Sequence, residues 1–276
     1  MSAAAASLPA GAAAARFLPV ALAGRRVVVT AGAAGIGRII TEGFLAAGAQ
    51  VHVCDVDPAA VADAAGSGED QLTASIADVA DPAAVRALFA EAADRLGGVD
   101  VLVNNAGIAG PTAGITDIEP DDLRRTMAVD LEGMFHCARQ AVPLMRAAGG
   151  GHVINLGSIA GRLSFAMRSP YSAAKWGVVG FTKSLALELG RENIRVNAIL
   201  PGHVNTPRFR DVAARRAQTL GIPAEEMEQR FLEPVALGRT VEREDIANMA
   251  LYLCSPFGSA ITGQAISVCG GVEMMR

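Results

Sequence analysis

The chain has 276 residues and a formal net charge of −4, so one domain with a sizeable core is expected and nothing basic points to nucleic acid. Apolar residues make up 51% but aromatics only 4%, which calls for a core of Ala, Val, Ile and Leu between helices and a parallel sheet. No apolar run is long enough to span a bilayer, and Cys54, Cys137, Cys254 and Cys269 lack any Cys-x-x-Cys spacing, reading as small buried hydrophobes of a reducing, cytoplasmic compartment.

Met1 to Ala21 is mostly Ala with scattered Pro, Gly and Ser, and Arg16 is its one charged side chain. A secretory leader starts with positive charge, which this stretch lacks, so residues 1–22 are expected to be a mobile tail ahead of a single domain at 23–276. From there, Val- and Ile-rich runs alternate with stretches of helical period. Strands are expected at Arg26–Thr30, Gln50–Cys54, Leu72–Ile76, Val99–Val103, His152–Asn155, Arg195–Ile199 and Ala265–Val268. Helices are expected at Ile36–Ala47, Pro58–Ala65, Pro82–Leu96, Pro120–Ala147, Pro170–Gly190 and Glu242–Cys254. Asp57-Pro58, Asp81-Pro82 and Ser169-Pro170 read as helix starts, each a capping oxygen followed by a proline whose fixed φ suits the first turn. This alternation implies an α/β, Rossmann-type doubly wound parallel sheet of about seven strands with helices on both faces. The rhythm breaks at residues 202–239, where helical pieces near Arg208–Leu220 and Ala224–Leu232 suggest a substrate lid.

The first strand runs through Thr30-Ala31-Gly32-Ala33-Ala34-Gly35-Ile36-Gly37 straight into a helix. Such a turn aims backbone amides and a positive helix end at an anion, and its glycines let the backbone approach a pyrophosphate. Gly32, Gly35, Ile36 and Gly37 are therefore expected to bind the phosphates of a dinucleotide. The second strand ends at Asp55, whose carboxylate can accept from both hydroxyls of an adenine ribose and would repel a 2′-phosphate. Positions 34, 54 and 56 hold no Lys or Arg, and Arg38 is expected to face solvent or phosphate, so the cofactor expected is NAD rather than NADP. Asp78 and Val79, closing the third strand, are expected at the adenine edge.

Tyr171 and Lys175 are four residues apart on one predicted helix and so share a face. Ser158 follows the fifth strand, and in this kind of sheet the carboxyl ends of strands face the ligand crevice. Carbonyl reduction needs a hydride donor, a proton donor for the emerging alkoxide, and a group that polarises the carbonyl. A phenol is a poor base near neutrality unless a neighbouring cation favours its ionised form. Tyr171 is thus expected to be the acid/base, Ser158 the donor to the substrate oxygen, and Lys175 the cation, which would also hold the nicotinamide ribose.

Taken together, these motifs resemble the short, single-domain branch of the short-chain dehydrogenases/reductases, over nearly all of Arg25–Met275. The turn at residues 30–37 is similar to the family's Thr-Gly-x-x-x-Gly-x-Gly element, and Ser158, Tyr171 and Lys175 match its catalytic Ser and Tyr-x-x-x-Lys. Asn104-Asn105-Ala106-Gly107 resembles its Asn-Asn-Ala-Gly element, which implies support for the sheet and contact with the adenosine side. Pro201-Gly202, with Val204 and Thr206 beyond, resembles the segment that meets the nicotinamide carboxamide and phosphate. Two residues depart from the pattern. Ala31 replaces the family's first glycine, which is tolerable if the residue keeps an ordinary backbone conformation. Asp130 stands where the family has a catalytic asparagine that organises a water path to the lysine. A carboxylate there could still hold a water while opposing ionisation of Tyr171, so an altered pH optimum is expected. The resemblance also implies a homotetramer, with the helices at Pro120–Ala147 and Pro170–Gly190 and the last strand at subunit contacts.

The expected function is therefore NAD(H)-dependent interconversion of a secondary alcohol and a ketone on a small molecule, with neither nucleic acid nor membrane as partner. A 3-oxoacyl thioester reductase using NADPH is the alternative, which Asp55 disfavours, and a non-catalytic dinucleotide sensor is a remote third. His52, His136, His152 and His203 show no metal-ligand spacing. The substrate pocket is expected at Ile108 to Pro111, Ile159 to Met167, His203 and the long segment. Arg162, Arg168, Arg208, Arg210, Arg215 and Arg216 make an anionic substrate conceivable.

Overall fold

The computed structural model describes residues 16–275. Among these, seven strands form one parallel sheet: β1 (Arg26–Thr30), β2 (Gln50–Asp55), β3 (Leu72–Ile76), β4 (Val101–Asn104), β5 (Gly151–Leu156), β6 (Ile194–Pro201) and β7 (Ala265–Val268). Their order is β3-β2-β1-β4-β5-β6-β7, the expected doubly wound arrangement. The helices are α1 (Gly35–Ala46), α2 (Pro58–Ala65), α3 (Pro82–Leu96), α4 (Pro120–Met127), α5 (Gly133–Ala147), α6 (Ser169–Leu189), α7 (Pro207–Leu220), α8 (Ala224–Leu232) and α9 (Arg243–Cys254). Strand boundaries fall within about two residues of those read from the sequence.

Alternate side chains of each central strand leave the sheet on opposite faces, and both faces are covered. Val27 and Val29 pack with Ile40, Phe44 and Leu251 of α1 and α9. Val28 packs instead with Leu88 and Phe89 of α3, in a layer that α5 and α6 complete through Met145 and Val178. Each fully buried Leu, Ile or Phe in these layers contributes about 2 kcal/mol. That is why the strands read as unbroken apolar runs.

Local chemistry sets several helix starts. Asp57 accepts from the Ala59 amide (2.9 Å) and Asp81 from the Ala83 amide (2.8 Å), as the Asp-Pro pairs imply. Ser169 does not cap: α6 begins at Ser169 itself, and the preceding Arg168 offers no side-chain cap. The single helix expected over Pro120–Ala147 is also corrected. A π turn at Ala128–Glu132 separates α4 from α5, and the extra residue in that turn rotates Asp130 into the protein.

The expected tail needs revising as well. Residues 1–15 lie outside the described residues, but Arg16 to Leu22 dock on the domain. Arg16 pairs with Glu42 of α1 and Glu244 of α9, and the Leu18 amide donates to Asn248 Oδ1 (2.6 Å). Val20 and Leu22 are buried in the α1–α9 layer, with Phe17 packed beside them. Three apolar side chains within six residues thus seal a groove that the Ala-rich composition hides. Across residues 202–239, α7 and α8 join through Ala213, Ala217 and Met227. Among the described residues no helix is long and apolar enough to cross a membrane, and no group of His, Cys, Asp and Glu could hold a metal ion.

Candidate active site

Strand order reverses between β1 and β4, and the carboxyl ends of the strands there open a cleft of about 570 Å³. At one end lie Ala31, Ala34, Gly35 and Ile36. Unlike α2 and α3, α1 starts with no side-chain cap, at Ala34, so its first amides are left for a ligand. The turn is tied down from behind. The Asn105 Nδ2 amide donates to the Thr30 and Ala31 carbonyls (2.9 and 3.0 Å), and the Asn105 and Ala106 amides donate to Thr30 Oγ1 (3.0 Å each).

Gly32 and Gly37, expected at the phosphates, are also fixed by close packing. A methyl on Gly37 would sit 2.1 Å from the Ala31 carbonyl oxygen, and one on Gly32 would sit 2.7 Å from Val53 Cγ1. Gly35 and Ile36 line the cleft, beside Ala31 and Ala34 of the same turn. Ala31 also corrects the reading, because its φ of 48° is left-handed. That conformation costs an L-residue about 1–2 kcal/mol, and the ties from Asn105 hold it.

Past the turn, the cleft is lined by Asp55, Val56, Ala77, Asp78 and Val79. Asp55 Oδ1 accepts from the Val56 and Asp57 amides (2.8 and 3.3 Å), which leaves Oδ2 for hydroxyl donors. Arg38 is turned away, paired with Glu42 (3.1 Å) and Asp63 (3.5 Å), while Arg125 pairs with Asp78 (2.9 Å). Uncapped helix amides together with a carboxylate at the next strand tip fit a dinucleotide.

Ser158, Tyr171 and Lys175 meet at the other end of the cleft. Ser158 Oγ accepts from the Ala160 amide (3.1 Å), which keeps its hydrogen free to donate. Lys175, 4% exposed, donates to the Leu156 carbonyl (3.0 Å) and lies 5.7 Å from the centre of the Tyr171 ring. The Arg168 guanidinium stacks on the same ring at 4.6 Å. Pro201, Gly202, Val204 and Thr206 line this end too, and Thr206 Oγ1 caps α7 by accepting from the Phe209 amide (3.3 Å). Asp130 does not reach the cleft. It is wholly buried behind Gly107, its Oδ1 accepting from the Ile108 amide (2.6 Å) and its Oδ2 without a partner. Burial pushes its carboxyl above the ordinary carboxylate range, against the opposing pull of Lys175 and the Ile108 amide.

The family model described as Enoyl-(Acyl carrier protein) reductase matches residues 31–273. Trans-4-hydroxycyclohexanecarboxylate dehydrogenase of Sinomonas cyclohexanicum is 38% identical over 256 residues, covering 89% of this chain and 92% of its own. The chain belongs to the short-chain dehydrogenase/reductase family. Among solved structures, a single-substitution variant of actinorhodin polyketide ketoreductase with NADPH matches at TM-score 0.86 and 33% identity, covering 90% of this chain and 97% of its own. A 7α-hydroxysteroid dehydrogenase complexed with NADH and 7-oxoglycochenodeoxycholic acid matches at TM-score 0.84 and 32% identity, covering 92% and 96%. This short-chain dehydrogenase/reductase is thus an oxidoreductase of the alcohol–ketone type.

Sequence reasoning missed three features of this short-chain dehydrogenase/reductase. One is the stacking of Arg168 on Tyr171, for which the three-residue spacing was the available signal. The second is a ring cluster of His203, Phe209 and Phe231, with centroids 5.1 to 6.0 Å apart, on the lid side. The third is the Arg125–Asp78 pair. Of the arginines expected near the substrate, Arg168, Arg208 and Arg216 line the cleft. Arg162 pairs with Glu273, Arg210 bonds Asn205 Oδ1, and Arg215 does not line the cleft.

Proposed function

We propose that this chain is an NAD(H)-dependent dehydrogenase that interconverts a secondary alcohol and a ketone on a small molecule, with Tyr171 as acid/base. The observation that carries the reading is Tyr171 and Lys175 on one face of α6, at a cleft that also holds Ser158, Asp55 and the uncapped start of α1. When bound, the dinucleotide supplies or accepts the hydride. In the direction of oxidation, the Ser158 hydroxyl donates to the substrate oxygen and fixes its position. Tyr171 takes the hydroxyl proton and later returns it to solvent. Lys175 and Arg168, both facing the Tyr171 ring, stabilise negative charge developing on the phenol oxygen.

The Gly35 and Ile36 amides would hold the pyrophosphate, and Asp55 the adenine ribose. Asp78, Val79, Asn105, Ala106 and Gly107 would flank the adenosine, and Lys175 would hold the nicotinamide ribose. Pro201, Gly202, Val204 and Thr206 would meet the nicotinamide, and α7 with α8 would form the substrate lid. NAD is favoured over NADP because Asp55 presents a free carboxylate oxygen where a 2′-phosphate would sit, and the cations nearby are already ion-paired. The NADPH-dependent 3-oxoacyl reductase reading has one observation in its favour, the polyketide ketoreductase neighbour bound to NADPH. We also propose a homotetramer, in which a second copy covers the exposed Phe135, Trp176 and Leu187 of α5 and α6.

The test is absorbance of reduced cofactor formed by purified protein from NAD+ or NADP+ with a panel of secondary alcohols. The reading expects turnover with NAD+ and a loss of at least about 10³-fold in Tyr171→Phe with dinucleotide binding retained. Equal turnover by Tyr171→Phe refutes it, and a clear preference for NADP+ transfers support to the alternative.

A further inference from the structure

Three arginines converge at the substrate end of the cleft without a carboxylate on the protein to pair with. Arg168 is 9% exposed; its Nη2 donates to the Ala109 carbonyl (2.8 Å), and its Nε is buried without any acceptor. Arg216, on α7, donates from Nη1 to the Ala166 carbonyl (2.9 Å), and its Nε is likewise buried and unpartnered. Arg208, in the first turn of the same helix, reaches across to the Gly107 carbonyl (2.9 Å). Elsewhere Arg26, Arg125, Arg162 and Arg230 are matched to acids, whereas these three form no ion pair among the described residues.

Grouping like charges around a buried guanidinium is unfavourable by itself. Burial and the nearby Arg208 and Arg216 pull Arg168 below its ordinary value, and Tyr171 and the buried Asp130 offset only part of that. A guanidinium presents its donors as a planar fork, so two of them with spare N–H groups suit one planar oxyanion. Position argues for substrate rather than cofactor. Arg216 also lines an adjoining cavity with Phe165, Ala166, Phe231 and Val272, whose lining includes neither the phosphate turn nor Asp55. The clustered rings of Phe209, Phe231 and His203 line the same cleft, a largely apolar surface suited to a hydrocarbon body.

We propose that Arg168 and Arg216, assisted by Arg208, form a recognition site for a carboxylate on the substrate, so that the enzyme acts on a hydroxy- or oxo-carboxylic acid with a compact hydrocarbon body. This rests on the oxidoreductase reading for its chemistry, but the anion site can be tested without turnover. Cyclohexanecarboxylate has no hydroxyl to oxidise and serves as the probe, titrated calorimetrically into the full chain in the presence of NADH. It is expected to bind at least about tenfold more tightly than cyclohexanecarboxamide. That preference is expected to collapse in Arg216→Gln, to return in part in Arg216→Lys, and to weaken with added salt.

Equal affinity for acid and amide, no saturable binding of the acid, or a preference that persists in Arg216→Gln each overturns the proposal. Tighter binding of cyclohexyl phosphate than of the carboxylate overturns the carboxylate assignment in favour of a phosphate ester. Selective binding of the acid in a protein that oxidises no alcohol of the panel supports the anion site and counts against the oxidoreductase reading, which separates the two failures.

Discussion

Replacing Asp130 by Asn removes one buried charge and little else. Asn keeps an oxygen for the Ile108 amide and puts an N–H₂ where Oδ2 now lacks a partner, so the fold should hold. A methyl on Gly107 would lie 3.0 Å from Asp130 Oδ1 and 3.5 Å from Lys175 Nζ, which brings those two atoms within about 6.5 Å of each other. Both side chains are buried, and at an effective dielectric near 20 the attraction of the charged pair is at least about 2.5 kcal/mol. The Tyr171 ring centre lies 5.7 Å beyond Nζ. The carboxylate therefore lies at most about 12 Å from that ring, and at the same dielectric it opposes negative charge there by at least roughly 1.4 kcal/mol.

Burial raises the Asp130 carboxyl, while Lys175 and the Ile108 amide pull against that rise. Asp130→Asn should move the rising limb of the log(kcat/KM) profile to lower pH, at similar Tm. Initial rates between pH 6 and 10 with saturating NAD+ would read the shift. A limb that stays in place, in a variant that folds and turns over, refutes the electrostatic role of this residue.

Ala31→Gly relieves the left-handed strain at φ 48° and returns part of the gain as unfolded-chain entropy. The net should be about 0.5–1 kcal/mol of added stability, seen as a Tm about 1–3 °C higher, and a lower Tm contradicts it. His52 and His152 are buried with values pushed down to about 4 by desolvation. The unfolded chain takes up their protons first, so each histidine removes up to about 1.4 kcal/mol of stability per pH unit as pH falls from about 6.5 towards 4. Urea unfolding at pH 7 and pH 5 should show the loss, with a shallower dependence in His152→Gln. Starting the chain at Ala23 removes the buried Val20 and Leu22 with Phe17 and the Arg16 pairs. Calorimetry should find at least about 4 kcal/mol less stability, and an unchanged melting curve would show that the segment does not hold the domain.

Much of this protein was legible because its signals are local and periodic. Val27 to Val29 are apolar on both faces, which only a strand between two helical layers requires. Asp57 and Asp81 cap the helices beside them, Asp55 ends a strand at the cleft, and the four-residue spacing sets Tyr171 and Lys175 on one face. The features decided by tertiary structure depend on elements far apart in the chain. Asp130 turns inward because a π turn between two helices meets the Ile108 amide. The residues from Arg16 to Leu22 dock because α1 and α9, some two hundred residues apart, share a groove. Ala31 holds a strained conformation because Asn105, from another strand end, pins its carbonyl. Arginine side chains are long and flexible, so where Arg168 and Arg216 point was settled by carbonyls of distant loops and by burial against Tyr171, quantities that no spacing along one chain encodes.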